Sequence, residues 1–97
     1  MLAALSHPGR RAILRLVLTE EMPVGELAAR TGIPQPATSQ HLRTLRDAGL
    51  VIVRIDGPRR LYRVDFEGLG RLRSELEAFW FPSLDALRDA AEHRQRR

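Results

Sequence analysis

The sequence predicts a mainly α domain with one small β-hairpin, laid out as a helix-turn-helix with a wing behind it and paired into a homodimer through its terminal helices. Three observations predict this. A helical segment at 24–31 is followed by the break Gly32-Ile33-Pro34 and by a second amphipathic segment at 35–48, which Gly49 closes. Two short strand-like runs, 50–55 and 60–64, are joined by Asp56-Gly57-Pro58-Arg59, in which Asp-Gly is a strong turn signal. A last segment, from residue 66 to about 91, repeats leucines and aromatics at spacings of three and four and holds more apolar surface than one compact winged core needs.

In chain order, Leu2, Ala4 and Leu5 open an apolar segment, and Ser6-His7-Pro8 reads as a cap or break. Residues 9–18 form a helix with Ile13, Leu14, Val17 and Leu18 on one face. Pro8 suits the first turn, where its missing N–H would be unpaired anyway. Residues 19–23 read as a polar connection. In the first helix of the reading unit, Leu27 and Ala28 point inward and Gly32 supplies a left-handed C-cap.

The second helix carries Ala37, Thr38, His41, Leu42 and Leu45 on one side. Gln35, Ser39, Gln40, Arg43 and Arg46 occupy much of the other, with no large apolar residue among them. Amide, hydroxyl and guanidinium groups in that array can hydrogen-bond to base edges and phosphates, which points to double-stranded DNA. A merely solvated helix face is the plainer alternative. His41 has two readings, packing or a backbone contact. The hairpin sets Arg54, Arg59, Arg60 and Arg63 against the single acid Asp56, as suits a wing lying along phosphates or in the minor groove. Asp65 is placed to cap the last helix, and Pro82 either kinks it or starts a new one. The apolar surface of residues 66–92 makes them the expected dimerisation helix, with the reading unit at 24–48 and the wing at 50–64.

Composition narrows the classes. Ninety-seven residues make one small domain. A net charge of +4 and a pI near 11.2 favour a polyanionic partner. The absence of cysteine excludes disulfides and thiolate metal sites. His7, His41 and His93 are too scattered for a metal site, so neither metal nor cofactor is expected. Ser6-His7 has no oriented acid, and no glycine-rich phosphate loop follows a strand, so no enzyme is expected. No apolar run approaches the roughly 18 residues of a membrane span, and residues 1–5 lack the basic flank of a secretory signal.

Four separated motifs carry a resemblance over roughly residues 2–92. Residues 4–14, ALSHPGRRAIL, resemble the opening of the ArsR/SmtB family of bacterial winged-helix regulators. VGELA at 24–28 and SQHLRTLRDAGLV at 39–51 resemble its helix-turn-helix, and RIDGPRRLYRV at 54–64 resembles its wing. The resemblance implies a dimeric repressor at an inverted-repeat operator, in the bacterial cytoplasm at the nucleoid. The helix at 35–48 would enter the major groove, and residues 1–6 and 66–92 would be the dimerisation helices, with Leu2 and Leu5 joining Leu76, Phe79, Trp80, Leu84 and Leu87 in the dimer seam. The Cys-Val-Cys of the metal-sensing members is replaced by Pro23-Val24-Gly25, and only His93 stands near the end of the last helix. The chain therefore looks like the metal-independent branch, in which Phe79-Trp80 matches a Phe-Trp pair, and the identity of any small-molecule effector stays open. Activation or dual regulation, and a winged-helix protein-interaction module, are the alternative functions.

Overall fold

The computed structural model describes residues 2–95; Met1, the first residue of the expected 1–6 segment, lies outside them. A 3₁₀ turn, Leu2–Leu5, precedes α1 (Pro8–Val17), α2 (Val24–Thr31), α3 (Gln35–Asp47), β1 (Val51–Asp56), β2 (Arg59–Val64) and α4 (Phe66–Gln95). The core is built where the first three helices meet the base of the hairpin. Ile13 and Val17 of α1, Leu27 of α2, Leu42 and Leu45 of α3, and Leu50, Val51 and Val64 at the hairpin base are all at most 2 % exposed.

Local chemistry accounts for the element ends. The Nδ1 of His7 accepts from the Gly9 N–H at 2.9 Å and caps α1, with Pro8 in the first turn. Gly32 closes α2 in the left-handed conformation. The end of α3 is a Schellman motif: the Leu50 N–H donates to the Leu45 carbonyl and the Gly49 N–H to the Arg46 carbonyl, both at 2.9 Å. Gly49 has φ +77°, which a side chain would disfavour. The accompanying apolar contact is between Leu50 and Leu45, both fully buried. Asp65 caps α4 as expected, its Oδ1 accepting from the Glu67 and Gly68 N–H groups at 3.1 and 3.2 Å.

Several expectations are corrected. The connection at 19–23 is not wholly polar loop. Met22 forms an isolated antiparallel bridge with Tyr62 and is fully buried, so β2 lies between Met22 and β1. The segment before α1 is a single 3₁₀ turn rather than a helix; Leu5 packs against its own subunit's core, whereas Leu2 is 50 % exposed. Leu18 lies just beyond α1 and is exposed, while Leu16 packs on the core. Asp56 and Arg59 pair as the ends of β1 and β2 rather than lying in the connection, which leaves Gly57-Pro58 as the centre of the turn. Gly57 has φ +60°, suiting the first central position of a type II′ hairpin. Of the two readings of Pro82, the start of a new helix is excluded, because α4 runs through it as one helix.

α4 touches the core only near its root, where Leu72 is buried and Leu69 packs beside it. Thirty residues at about 1.5 Å each make a rod of roughly 45 Å. The molecule measures 68 × 25 × 20 Å, and its radius of gyration is 18.2 Å. A compact chain of this length would have a radius near 12.5 Å. The projecting part carries Leu76, Trp80, Phe81, Leu84 and Leu87, 40–67 % exposed, together with Phe79 at 67 %.

Candidate DNA-recognition surface

The orientation of α3 follows from what it buries. Thr38, Leu42 and Leu45 are at most 1 % exposed. The Thr38 hydroxyl is satisfied locally, donating to the Pro34 carbonyl at 3.1 Å or the Ile33 carbonyl at 3.3 Å, which also ties the turn to the helix. With about 100° per residue, Gln40 and Arg43 fall opposite that buried side. Gln35, Ser39 and Arg46 flank them, and all five are exposed. Asp47 shares the outward side at the C-terminal end. Its carboxylate repels phosphate, so the part of α3 suited to a duplex is the stretch ahead of it.

His41 departs from this group. It is half-buried, and its ring lies 4.5 Å from that of His7 at a 47° tilt, so it joins α3 to the start of α1. Burial, followed by the neighbouring His7 and Arg10, holds its pKa below the ordinary histidine value and favours the uncharged ring. Of its two sequence readings, packing describes its placement.

The register sorts the wing arginines. Ile52 pairs with Arg63, Arg54 with Leu61, Ile55 with Arg60 and Asp56 with Arg59. Directly paired residues share a face and successive ones alternate. Arg54, Arg59 and Arg63 therefore share the outer face. Arg60 stands on the other face beside Ile55, beyond Val53 and Tyr62. Arg59, Arg60 and Arg63 are exposed and, among the described residues, in no ion pair. Arg54 is different. Its Nε donates to Glu21 Oε2 at 3.1 Å and its Nη2 to Glu21 Oε1, so its fork is taken by a carboxylate of the same chain. Arg54 is thus placed in an internal pair rather than presented like the other three.

Sequence reading missed Glu21 as part of this surface. It stands beside Met22, and the Met22–Tyr62 bridge carries it next to the Arg63 position of β2. No local pattern announces a partner 33 residues away. Among the described residues no group of His, Cys, Asp or Glu could hold a metal ion, and no helix is long and apolar enough to cross a membrane.

Comparison with known proteins agrees with this geometry. Residues 7–53 match the family described as "Bacterial regulatory protein, arsR family". The chain is 43 % identical over 81 residues to the HTH-type transcriptional regulator Rv2034 of Mycobacterium tuberculosis, covering 84 % of this chain and 76 % of that one. It is 36 % identical over 80 residues to the biofilm growth-associated repressor of Agrobacterium fabrum, covering 82 % and 68 %. Among solved structures, a "possible transcriptional regulator for arsenical resistance" superposes with TM-score 0.77 at 42 % identity, over 92 % of this chain and 93 % of that one. The homodimeric winged helix-turn-helix DNA-binding domain Mb0332 of Mycobacterium bovis superposes with TM-score 0.67 at 32 % identity, over 79 % and 71 %. The chain belongs to the arsR family of bacterial regulatory proteins, and is a winged helix-turn-helix DNA-binding transcriptional regulator, not an enzyme.

Proposed function

We propose that two copies of this chain pair through α4 and the Leu2–Leu5 turn, and that the dimer represses transcription from an inverted-repeat operator in the bacterial nucleoid. The observation that carries the reading is the split of α3 into a buried Thr38-Leu42-Leu45 side and an exposed Gln35-Ser39-Gln40-Arg43-Arg46 side, beside a hairpin tipped with Arg59 and Arg60. The first side fixes the helix on the core. The second offers glutamine amides that match adenine N6 and N7, and a guanidinium that matches guanine O6 and N7.

Pairing follows from α4. Leu76, Phe79, Trp80, Leu84 and Leu87 present a run of exposed apolar side chains, and a two-fold contact would bury both copies at once. The relative from Mycobacterium bovis is described as homodimeric, and the one from Agrobacterium fabrum as a repressor. Two α3 helices related by a dyad suit half-sites about 34 Å apart, in successive major grooves. Arg59, Arg60 and Arg63 of the wing, together with Arg46, then neutralise phosphates, and occupation of a promoter excludes polymerase.

The test is selection of bound duplexes from random DNA at fixed salt, followed by titration of the Gln40→Ala/Arg43→Ala double variant on the recovered site. Each bidentate base contact is worth about 1–3 kcal/mol. The variant should lose at least roughly tenfold in affinity and lose discrimination at the contacted positions. Unchanged affinity and preference would overturn the assigned face. A recovered site upstream of a promoter, with transcription rising on occupancy, would overturn repression.

A further inference from the structure

The wing holds a carboxylate that DNA binding by the rest of the surface has no use for. Glu21 lies in the connection before α2, yet both its oxygens are taken by the Arg54 fork across the sheet. Arg54, Arg59 and Arg63 share that face by register. Leu61, the cross-strand partner of Arg54, is only 5 % exposed on this otherwise open face. The Glu21 carboxyl is held below its usual range chiefly by its hydrogen bond with Arg54; burial, the next-largest effect, opposes this, and the nearby charges of Arg54, Arg63 and Arg59 add to the lowering. One anion therefore sits within the field of three of the four wing arginines. A two-pronged carboxylate engages a guanidinium as a phosphate does, with two charge-assisted hydrogen bonds.

We infer that Glu21 is an internal competitor for the wing, its carboxylate standing at Arg54 in place of a backbone phosphate, so that Glu21 sets how many phosphates the wing neutralises and how steeply binding depends on salt. The inference rests on the DNA-binding reading above. Arg54 is then silent toward DNA in the parent protein, while Arg59 and Arg60 at the tip are not. Removing the carboxylate releases the fork and adds one phosphate contact per subunit. Because the pair is exposed, with side-chain exposures of 49 % and 32 %, its own contribution to stability is small, and the released arginine remains in solvent reach.

The experiment measures log K against log salt for the full chain on its selected duplex, between 50 and 200 mM salt. Each phosphate contact contributes a slope of about −0.9, or roughly 3.5-fold in affinity across that range. Glu21→Gln should steepen the slope by about 0.9 per subunit and bind more tightly at low salt. Arg54→Gln in the parent background should leave the slope unchanged, whereas Arg59→Gln should flatten it by about 0.9 per subunit. Glu21→Gln/Arg54→Gln restores the parent's net charge of +4 and should restore its slope. The inference is overturned if Glu21→Gln leaves the slope where it was. It is overturned equally if Arg54→Gln alone flattens the slope, a measurement that stands even where Glu21→Gln does not fold. A gain from Glu21→Gln that survives loss of Arg54 would show an unspecific charge effect and overturn it too. If the parent selects no duplex sequence, the DNA-binding reading fails and takes this inference with it; if the parent binds specifically and only the slopes disagree, the inference alone fails.

Discussion

Two glycines two positions apart in α4 should respond oppositely to the same added methyl group. A Cβ on Gly68 would stand 1.6 Å from the Gly49 carbonyl oxygen and 2.8 Å from its carbon. That oxygen belongs to backbone and cannot rotate away. Gly49 is held by the Schellman bonds that close α3, and Gly68 by the Asp65 cap. The root of α4 must therefore move as a unit. Overpacking costs up to about 3 kcal/mol, and the better helix propensity of alanine returns about 1 kcal/mol. A net loss of about 2 kcal/mol corresponds to roughly 8–16 °C in Tm for a domain of this size. A Cβ on Gly70 meets nothing within 4 Å. Gly70→Ala should keep the propensity gain of about 1 kcal/mol, raising Tm by roughly 4–8 °C. Thermal unfolding followed by circular dichroism measures both, repeated across protein concentrations to separate any contribution of pairing. A Gly68→Ala protein melting at or above the parent would refute the close approach of α4 to Gly49. Equal losses for both variants at every concentration would refute its assignment to that one contact.

Three further outcomes follow from the packing. Leu45→Ala should cost about 2–5 kcal/mol, because Leu45 is fully buried between α3 and its neighbours; urea unfolding measures it, and a loss under 1 kcal/mol would contradict that burial. Since the folded-state pKa of His41 lies below its ordinary 6.5, the neutral ring's share of stability is complete above that value. It is lost as pH falls from there through the folded pKa. Parent stability should thus fall between pH 7 and 5 by more than that of His41→Gln, and parallel pH profiles would exclude the effect. Trp80→Glu should leave the fold intact, since Trp80 is 57 % exposed, but shift sedimentation from dimer to monomer; an undisturbed dimer would remove Trp80 from the seam.

Where residues act on near neighbours, the sequence was a sufficient guide. The end of α2 at Gly32, the close of α3 at Gly49, the Asp65 cap and the inward side of α3 all follow from one or two turns of chain. The hairpin was legible too; within the expected 56–59 connection, pairing of Asp56 with Arg59 carries both strands one residue further and leaves only Gly57-Pro58 between them. Met22 was hidden within a run of polar neighbours, and a single bridge residue has no periodicity to reveal it. His41 was ambiguous because its position on the helix edge leaves burial to whatever lies alongside, here His7. At Pro82 the α4 ladder loses one N–H donor, but the helical pattern on both sides continues through it.

By itself, then, the sequence determined the element order, the polar side of α3, the basic hairpin and the apolar length of α4, since each is written in short-range periodicity, turn chemistry and charge. The tertiary structure alone decided that Arg54 is held by Glu21, that Arg59 and Arg60 lie on opposite faces, that His41 is drawn against His7 and that Gly68 must lack a side chain. Those outcomes depend on register and on how closely distant segments approach. Such distances are set by packing the whole core at once, and no local stretch of chain encodes them.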